Sequence, residues 1–456
     1  MKQSFLFKKY PKGRKNMKLN YKRTIFVGMA FMAICAFWQV YDGIVPLILK
    51  QTFDVNDAVS GVIMALDNVL AVFMLPLFGA LSDKTQTRWG RRMPFIFCGT
   101  IAAAALSFLL PLADTIRSLP LFVAGLGLAL ICMATFRSPA VALMPDVTPK
   151  PLRSKANAII NLTGTVGGLL MLVAIGVMVP KVDNPSYWPV FILNAAIMLI
   201  CLAILVKTTN EPKLVKIMEE ESKGLEEEEE TPVVAEAKEE KMAPEVKKSL
   251  FLILGSVFLW FMGYNAITTS FSKYANVYWG LQGGSYAYTL IIAQAAAIIS
   301  YIPAGIVATK IGRRKTILGG VAALAIAFGS SMFFKSFSGM IFFFFVLAGA
   351  GWAFINVNSY PMVVEMSKGA SVGKFTGYYY TASQTAQIIT PILSGFVLEY
   401  GYLLVDQANP DAGYVLLFPY GTLFVALSFV TMLFVRHGDA KVEGKKDLLE
   451  SLDIED

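Results

Sequence analysis

The sequence predicts an all-α membrane protein of twelve transmembrane helices, and three observations carry that prediction. Of 456 residues, 55% are hydrophobic and only 16% charged, with mean hydropathy +0.58. The apolar residues fall in blocks of about 20 or more, the length a helix needs to cross hydrocarbon. Lys and Arg gather in alternate connections between those blocks, the asymmetry that orients spans. Barrel strands would instead be segments of about 10 alternating residues, and no such alternation is seen.

In chain order the blocks are 25–49, 58–82, 93–113, 119–145, 155–180, 187–207, 249–272, 286–309, 315–335, 340–365, 373–398 and 414–436. The segment before them, 1–24, is a basic tail carrying Lys2, Lys8, Lys9, Lys12, Arg14, Lys15, Lys18, Lys22 and Arg23. No cleavage site follows the first apolar block, so it reads as a first span and not a removed signal. Further basic turns run Lys84 to Arg92, Lys150 to Lys155 and Lys310 to Lys315, with Lys368 and Lys374. Counting spans puts all of these on one side, while the opposite turns hold Lys50, Arg117, Lys181, Lys273 and Lys335. Both termini are therefore expected in the cytoplasm, with the protein in the plasma membrane. The net charge of +8 fits an anionic inner leaflet and not nucleic acid. Cys35, Cys98, Cys132 and Cys201 all fall inside spans and read as small apolar packers rather than a disulfide set.

Residues 208–248 interrupt the pattern. They are polar, include the acidic run Glu226 to Glu230, and read as a solvated cytoplasmic linker, helical in part or disordered. The chain thus divides into a six-helix half at 25–207, the linker, a second six-helix half at 249–436 and a tail at 437–456.

Between the second and third blocks, Gly79 to Phe95 reads G-A-L-S-D-K-T-Q-T-R-W-G-R-R-M-P-F. After the eighth block, Gly305 to Lys315 reads G-I-V-A-T-K-I-G-R-R-K, with Thr309 where the first copy has Asp83. Arg137 to Pro149 reads R-S-P-A-V-A-L-M-P-D-V-T-P at the end of the fourth block. The first loop, with Gly, Asp and an Arg pair, resembles the signature of the major facilitator superfamily. Five residues between the Asp-Lys pair and Gly-Arg-Arg, and the stretch around Pro139 and Asp146, resemble the sucrose–proton symporters and the melibiose-type glycoside–pentoside–hexuronide:cation symporters.

That resemblance implies two pseudo-symmetric halves that rock about a mid-membrane site, and a sugar as substrate. It implies a gating motif of Gly79, Asp83, Gly90, Arg91, Arg92 and Asp146, repeated in Gly312, Arg313 and Arg314, with the arginines pairing to acids at neighbouring helix ends. The plainer alternative makes these arginines positive-inside anchors. The chain departs from the sucrose type at Val141, where an Arg is usual; its Arg137 lies one turn earlier. It departs from the melibiose type at Ala71 and Leu75, where acidic cation ligands are usual, which removes that sodium site.

Charges inside spans are costly and usually functional. Asp42, Asp67 and Arg137 stand out. By helical rise, Asp42 and Asp67 lie roughly 26 and 24 Å above the cytoplasmic ends of their spans, and Arg137 roughly 13 Å. The sole histidine, His437, lies in the tail, so a carboxylate of Asp42 or Asp67 is the candidate proton carrier. The alternative is that these side chains snorkel to water at the outer ends of their spans.

Sugars need hydrogen-bonding groups and aromatic faces. Candidates beside Arg137 are Trp38, Gln39, Tyr41, Asn161, Tyr264, Asn265, Thr268, Asn356, Tyr379 and Gln384. Each could equally be polar glue between helices. Nothing resembles a nucleotide loop, a metal cluster or a nucleophile elbow, so the chain is not expected to be an enzyme or to hold a cofactor. The expected partners are a small-molecule sugar, a proton and the lipid bilayer, with the chain working as a monomer. The competing function is proton-driven export of drugs or metabolites.

Overall fold

The computed structural model describes residues 19–149, 152–182, 184–226, 243–366 and 372–439. The first half contains α1 (Tyr21–Gln51), α2 (Asp57–Lys84), α3 (Met93–Ser107) continued by α4 (Leu109–Thr115), α5 (Leu119–Asp146), α6 (Arg153–Met178) and α7 (Trp188–Thr208). After the linker helix α8 (Glu211–Glu226) come α9 (Pro244–Val277), α10 (Ala287–Ile311), α11 (Arg313–Ser331), α12 (Met340–Glu365), α13 (Val372–Tyr400), α14 (Tyr402–Val405) and α15 (Leu417–Leu433). Short 3₁₀ segments at Gly283–Tyr286 and Pro410–Leu416 lead into α10 and α15. Two helix starts follow directly from capping residues. Asn20 accepts from the Arg23 amide at α1, and Asn56 accepts from the Val59 amide at α2, satisfying donors that a helix start leaves free.

Among the described residues, ten helical stretches are long and apolar enough to cross a membrane. α11 and α13 complete twelve, because they take positions in the bundle that α3 and α6 take in the first half. α11 opens on three basic residues and α13 is rich in Tyr, Thr and Gln, which lowers their apolar content. In the first half α1 packs on α6 and α7, α3 on α5 and α7, and α2 on α5. In the second, α9 packs on α13 and α15, α11 on α12 and α15, and α10 on α12. Replacing α1, α2, α3, α5, α6 and α7 by α9, α10, α11, α12, α13 and α15 turns one set of pairs into the other. The halves meet through α2 with α13, α6 with α10, and α1 with α9. Buried aromatics such as Phe122, Phe191, Trp260 and Phe418 fill each half.

The linker is helical in part, as the sequence suggests, over 211–226, while α9 reaches back to Pro244. Leu214 and Val215 pack against the main core and Glu211 is buried. The opening of the linker is therefore docked, not solvated; its acidic run from 227 onward, the basic tail before Leu19 and the tail after Asp439 lie outside the described residues.

The face that carries the start of α1 and the α2–α3 and α10–α11 turns is the basic side, and the opposite one is the far side.

Candidate functional site

A cavity of about 150 Å³ lies between the halves. Helical periodicity builds it. α1 contributes Trp38, Tyr41 and Asp42; α2 contributes Met64, Asp67 and Asn68; α9 contributes Asn265, Thr268 and Thr269. Each trio has the i, i+3, i+4 spacing that stacks side chains on one helix face. α5 adds Arg137, and α13 adds Gln387 and Pro391. Arg137 lines the same cavity as both aspartates despite its lower starting point on its span.

The guanidinium of Arg137 lies 5.3 Å from the Trp38 ring centre, a cation–π placement. The indole in turn stands edge-on to Tyr41 at 5.4 Å. Tyr41 donates its hydroxyl to the Met64 carbonyl at 3.0 Å, so it offers the cavity a ring and not a donor. Asn68 donates to Asp67 at 2.8 Å. The hydroxyls of Thr268 and Thr269 donate to the Asn265 carbonyl at 3.3 and 2.7 Å, leaving their oxygens free to accept. The buried Nε1 of Trp38 and Nδ2 of Asn265 have no hydrogen-bond partner among the described residues. The site therefore presents a guanidinium fork, an amide and an indole donor, two carboxylates, hydroxyl acceptors and an aromatic face. That set suits a polyhydroxylated ligand with one apolar ring face.

Of the sequence candidates, Asp42, Asp67, Arg137, Trp38, Tyr41, Asn265 and Thr268 meet in this cavity. The others do not line it. Gln39 faces the α6–α10 contact, near Gly168 and Gln294, where Gln294 donates to the Thr165 carbonyl at 3.2 Å. Asn161 is exposed on α6 and its carbonyl accepts from Thr165 at 2.8 Å. Tyr264 stacks on Trp352 with ring centres 3.7 Å apart. Asn356 is exposed. Tyr379 is buried and shares a 3.0 Å hydrogen bond with Ser359. Gln384 sits one turn before the lining Gln387, with its buried Oε1 unpartnered among the described residues. Asn68, Gln387, Thr269, Met64 and Pro391 also line the cavity; the first three are within reach of the same i, i+3, i+4 reasoning.

The duplicated loop motif forms two matching clusters on the basic side. Arg92 pairs with Asp83 and, at 2.8 Å, with Asp146; Arg91 also reaches Asp146 at 2.8 Å. In the second half Arg313 pairs with Glu365, which ends α12 as Asp146 ends α5. Beneath each arginine pair an acid caps the next helix. Glu211 accepts from the backbone amides of Arg91, Arg92 and Met93 at 2.9–3.1 Å. Asp439 accepts from those of Arg313 and Arg314 at 2.6 and 3.3 Å. Gly90 and Gly312 have φ of +111° and +90°, and a Cβ on either would run into that carboxylate. Both clusters tie helix ends within one half. Glu211, Asp439 and Glu365 carried no sequence signal beyond their places just after, or at the end of, a span.

The bonds between halves gather elsewhere. Gln51 binds Asn276 at 2.9 Å, Tyr286 donates to the Gly43 carbonyl at 2.8 Å, Tyr288 donates to the Gly176 carbonyl at 3.0 Å, and Lys273 pairs with Asp57. All are on the far side of the cavity, which this conformation closes.

Known proteins bear on this architecture. A family model described as Major Facilitator Superfamily matches residues 27–300 and again 278–451. Solute carrier family 45 member 3 of Mus musculus is 28% identical over 186 residues, 37% of this chain and 33% of that protein. Sucrose transport protein SUC3 of Arabidopsis thaliana is 27% identical over 139 residues, 26% of this chain and 23% of that protein. The matched stretch thus spans a third or less of these curated relatives. Among solved structures, a mutant of the nucleoside transporter NupG superposes with a TM-score of 0.66 at 13% identity, covering 91% of this chain and all of that one. The inward open conformation of the xylose transporter XylE from E. coli gives 0.61 at 15%, covering 95% and 98%.

Proposed function

This chain belongs to the major facilitator superfamily, a multi-pass membrane transporter and not an enzyme, and from that premise we propose that it imports a sugar together with protons. The observation that carries the reading is the composition of the cavity between the halves. Its lining joins Arg137, Asp42, Asp67, Asn265 and Thr268 to the Trp38 ring. Sugar hydroxyls both donate and accept, and their ring faces pack on aromatics. The sequence relation to a sucrose transport protein favours a disaccharide or other glycoside. A lipophilic drug would gain little from this lining and would leave its buried polar groups unpaired, which disfavours the exporter reading.

In this reading Asp42 and Asp67 share the coupling. Two carboxylates face one guanidinium, so the empty site carries one surplus negative charge when both are ionised. A proton taken up from outside neutralises it, and a neutral sugar can then occupy the site without stranding a charge in a low-dielectric interior. Arg137 and the indole orient the sugar. Rocking of the halves then exposes the loaded site to the cytoplasm, where sugar and proton leave. The basic side is cytoplasmic, the membrane is the plasma membrane, and a single copy of the chain suffices. Counterflow of labelled mono- and disaccharides into proteoliposomes tests the substrate class without any imposed gradient. Exchange of at least one glycoside, and none of a lipophilic cation, is expected; the opposite pattern overturns the reading.

A further inference from the structure

On the far side, Asp57 at the start of α2 and Lys273 in α9 form an ion pair although they are only 2% and 3% exposed. Tyr414, in the turn before α15, donates its hydroxyl to the other Asp57 oxygen at 2.7 Å. Lys273 also reaches the Ser60 hydroxyl at 3.3 Å. Glu399 of α13 accepts from the Asp57 backbone amide at 2.6 Å, so an acid of the second half caps a helix of the first. Lys50 stands 4.0 Å from Asp57 at the edge of the cluster. On sequence grounds Lys50 and Lys273 are isolated charges at span ends; in the fold they and Asp57 join the halves.

We propose that Asp57, Lys273 and Tyr414 are the reversible lock that holds the far side closed during transport. A buried ion pair gains Coulomb energy but loses hydration, and the two terms nearly cancel. When the halves part, Asp57 and Lys273 regain water, so breaking the pair is not prohibitive. Removing one partner is different. It leaves the other charge buried without its nearest counter-charge in the closed state only, which penalises closure and favours the state open to the far side. Glu399 ties the same event to α13, because its cap on α2 exists only while α2 and α13 are together.

The test needs neither sugar nor proton gradient, so its outcome is separate from the transport reading. Spin labels on cysteines at Ile116→Cys and Ser336→Cys, with the four native cysteines replaced, report the far-side distance between halves by pulsed electron resonance. Lys273→Met and Asp57→Asn should each raise the population with the longer distance about tenfold or more. The exchanged pair Asp57→Lys with Lys273→Asp should move it back toward the wild-type distribution. Tyr414→Phe, which removes one donor and no charge, should shift it in the same direction by a smaller amount and serves if the charge variants fail to fold. Unchanged distance distributions in folded Lys273→Met or Tyr414→Phe protein would overturn the lock.

Discussion

Arg137 lays its guanidinium over the Trp38 ring, 5.3 Å from the ring centre, and forms no ion pair or hydrogen bond with a described residue. Its fork of donors is thus held in place by an aromatic face and left available. Arg137→Ala should weaken sugar binding by roughly ten- to a hundredfold, the range for a hydrogen bond to a charged group. Arg137→Lys should recover only part of it, because an ammonium cannot reproduce the planar fork. Equilibrium binding by the purified protein checks this; near-normal affinity in Arg137→Ala would make the residue peripheral.

Asp42 and Asp67 line one cavity with a single arginine. Acid outside should speed uptake, because protonation there favours the loaded carrier. Asp42→Asn and Asp67→Asn should each remove most of that pH dependence while leaving exchange under equal pH measurable. Sodium should have no effect, since Ala71 and Leu75 offer no carboxylate on the α2 face toward Arg137. Sodium-stimulated uptake that ignores pH would sink this assignment.

Asp83 pairs with Arg92 inside the first half, about 24 Å from the level of Asp67 by helical rise. The cluster therefore stiffens the helix ends that must move as a unit, and does not touch sugar. Asp83→Asn should slow transport by up to about fivefold, the ratio that ~1 kcal/mol of a partly exposed pair sets, with equilibrium affinity within about twofold of normal on that scale. Rate and affinity measured on the same preparation separate the two; a large affinity loss at unchanged rate contradicts the role.

Glu211 satisfies three backbone amides at the start of α3. Glu211→Ala should destabilise the first half by about 2 kcal/mol, as lost caps do. Gly90→Ala should do likewise by displacing the carboxylate at a positive φ. Thermal unfolding in detergent reads both, and an unaltered midpoint for Glu211→Ala would show that the cap is idle.

The bundle was legible because hydrocarbon demands long apolar helices, and twelve blocks announce them. The cavity was partly legible. Polar residues one turn apart on α1 and α9 are rare enough in spans to mark a face, so Trp38, Tyr41, Asp42, Asn265 and Thr268 were found. Residue type alone could not separate lining from glue: Tyr379 and Tyr264 have the chemistry of a sugar site, but spend it on Ser359 and Trp352. The docked start of the linker is hard to see because its short apolar stretch, Leu214, Val215, Ile217 and Met218, is surrounded by charged residues. Asp57 and Lys273 were invisible as partners, since 216 residues of sequence separate them and only the meeting of the halves joins them.

Accumulation of labelled sugar in proteoliposomes under an imposed proton gradient tests proton-coupled sugar import most directly. With acid outside and no sodium, a glycoside should concentrate above its external level, and a protonophore should abolish the excess. Equal accumulation with and without the proton gradient, or accumulation that follows sodium alone, would contradict the account.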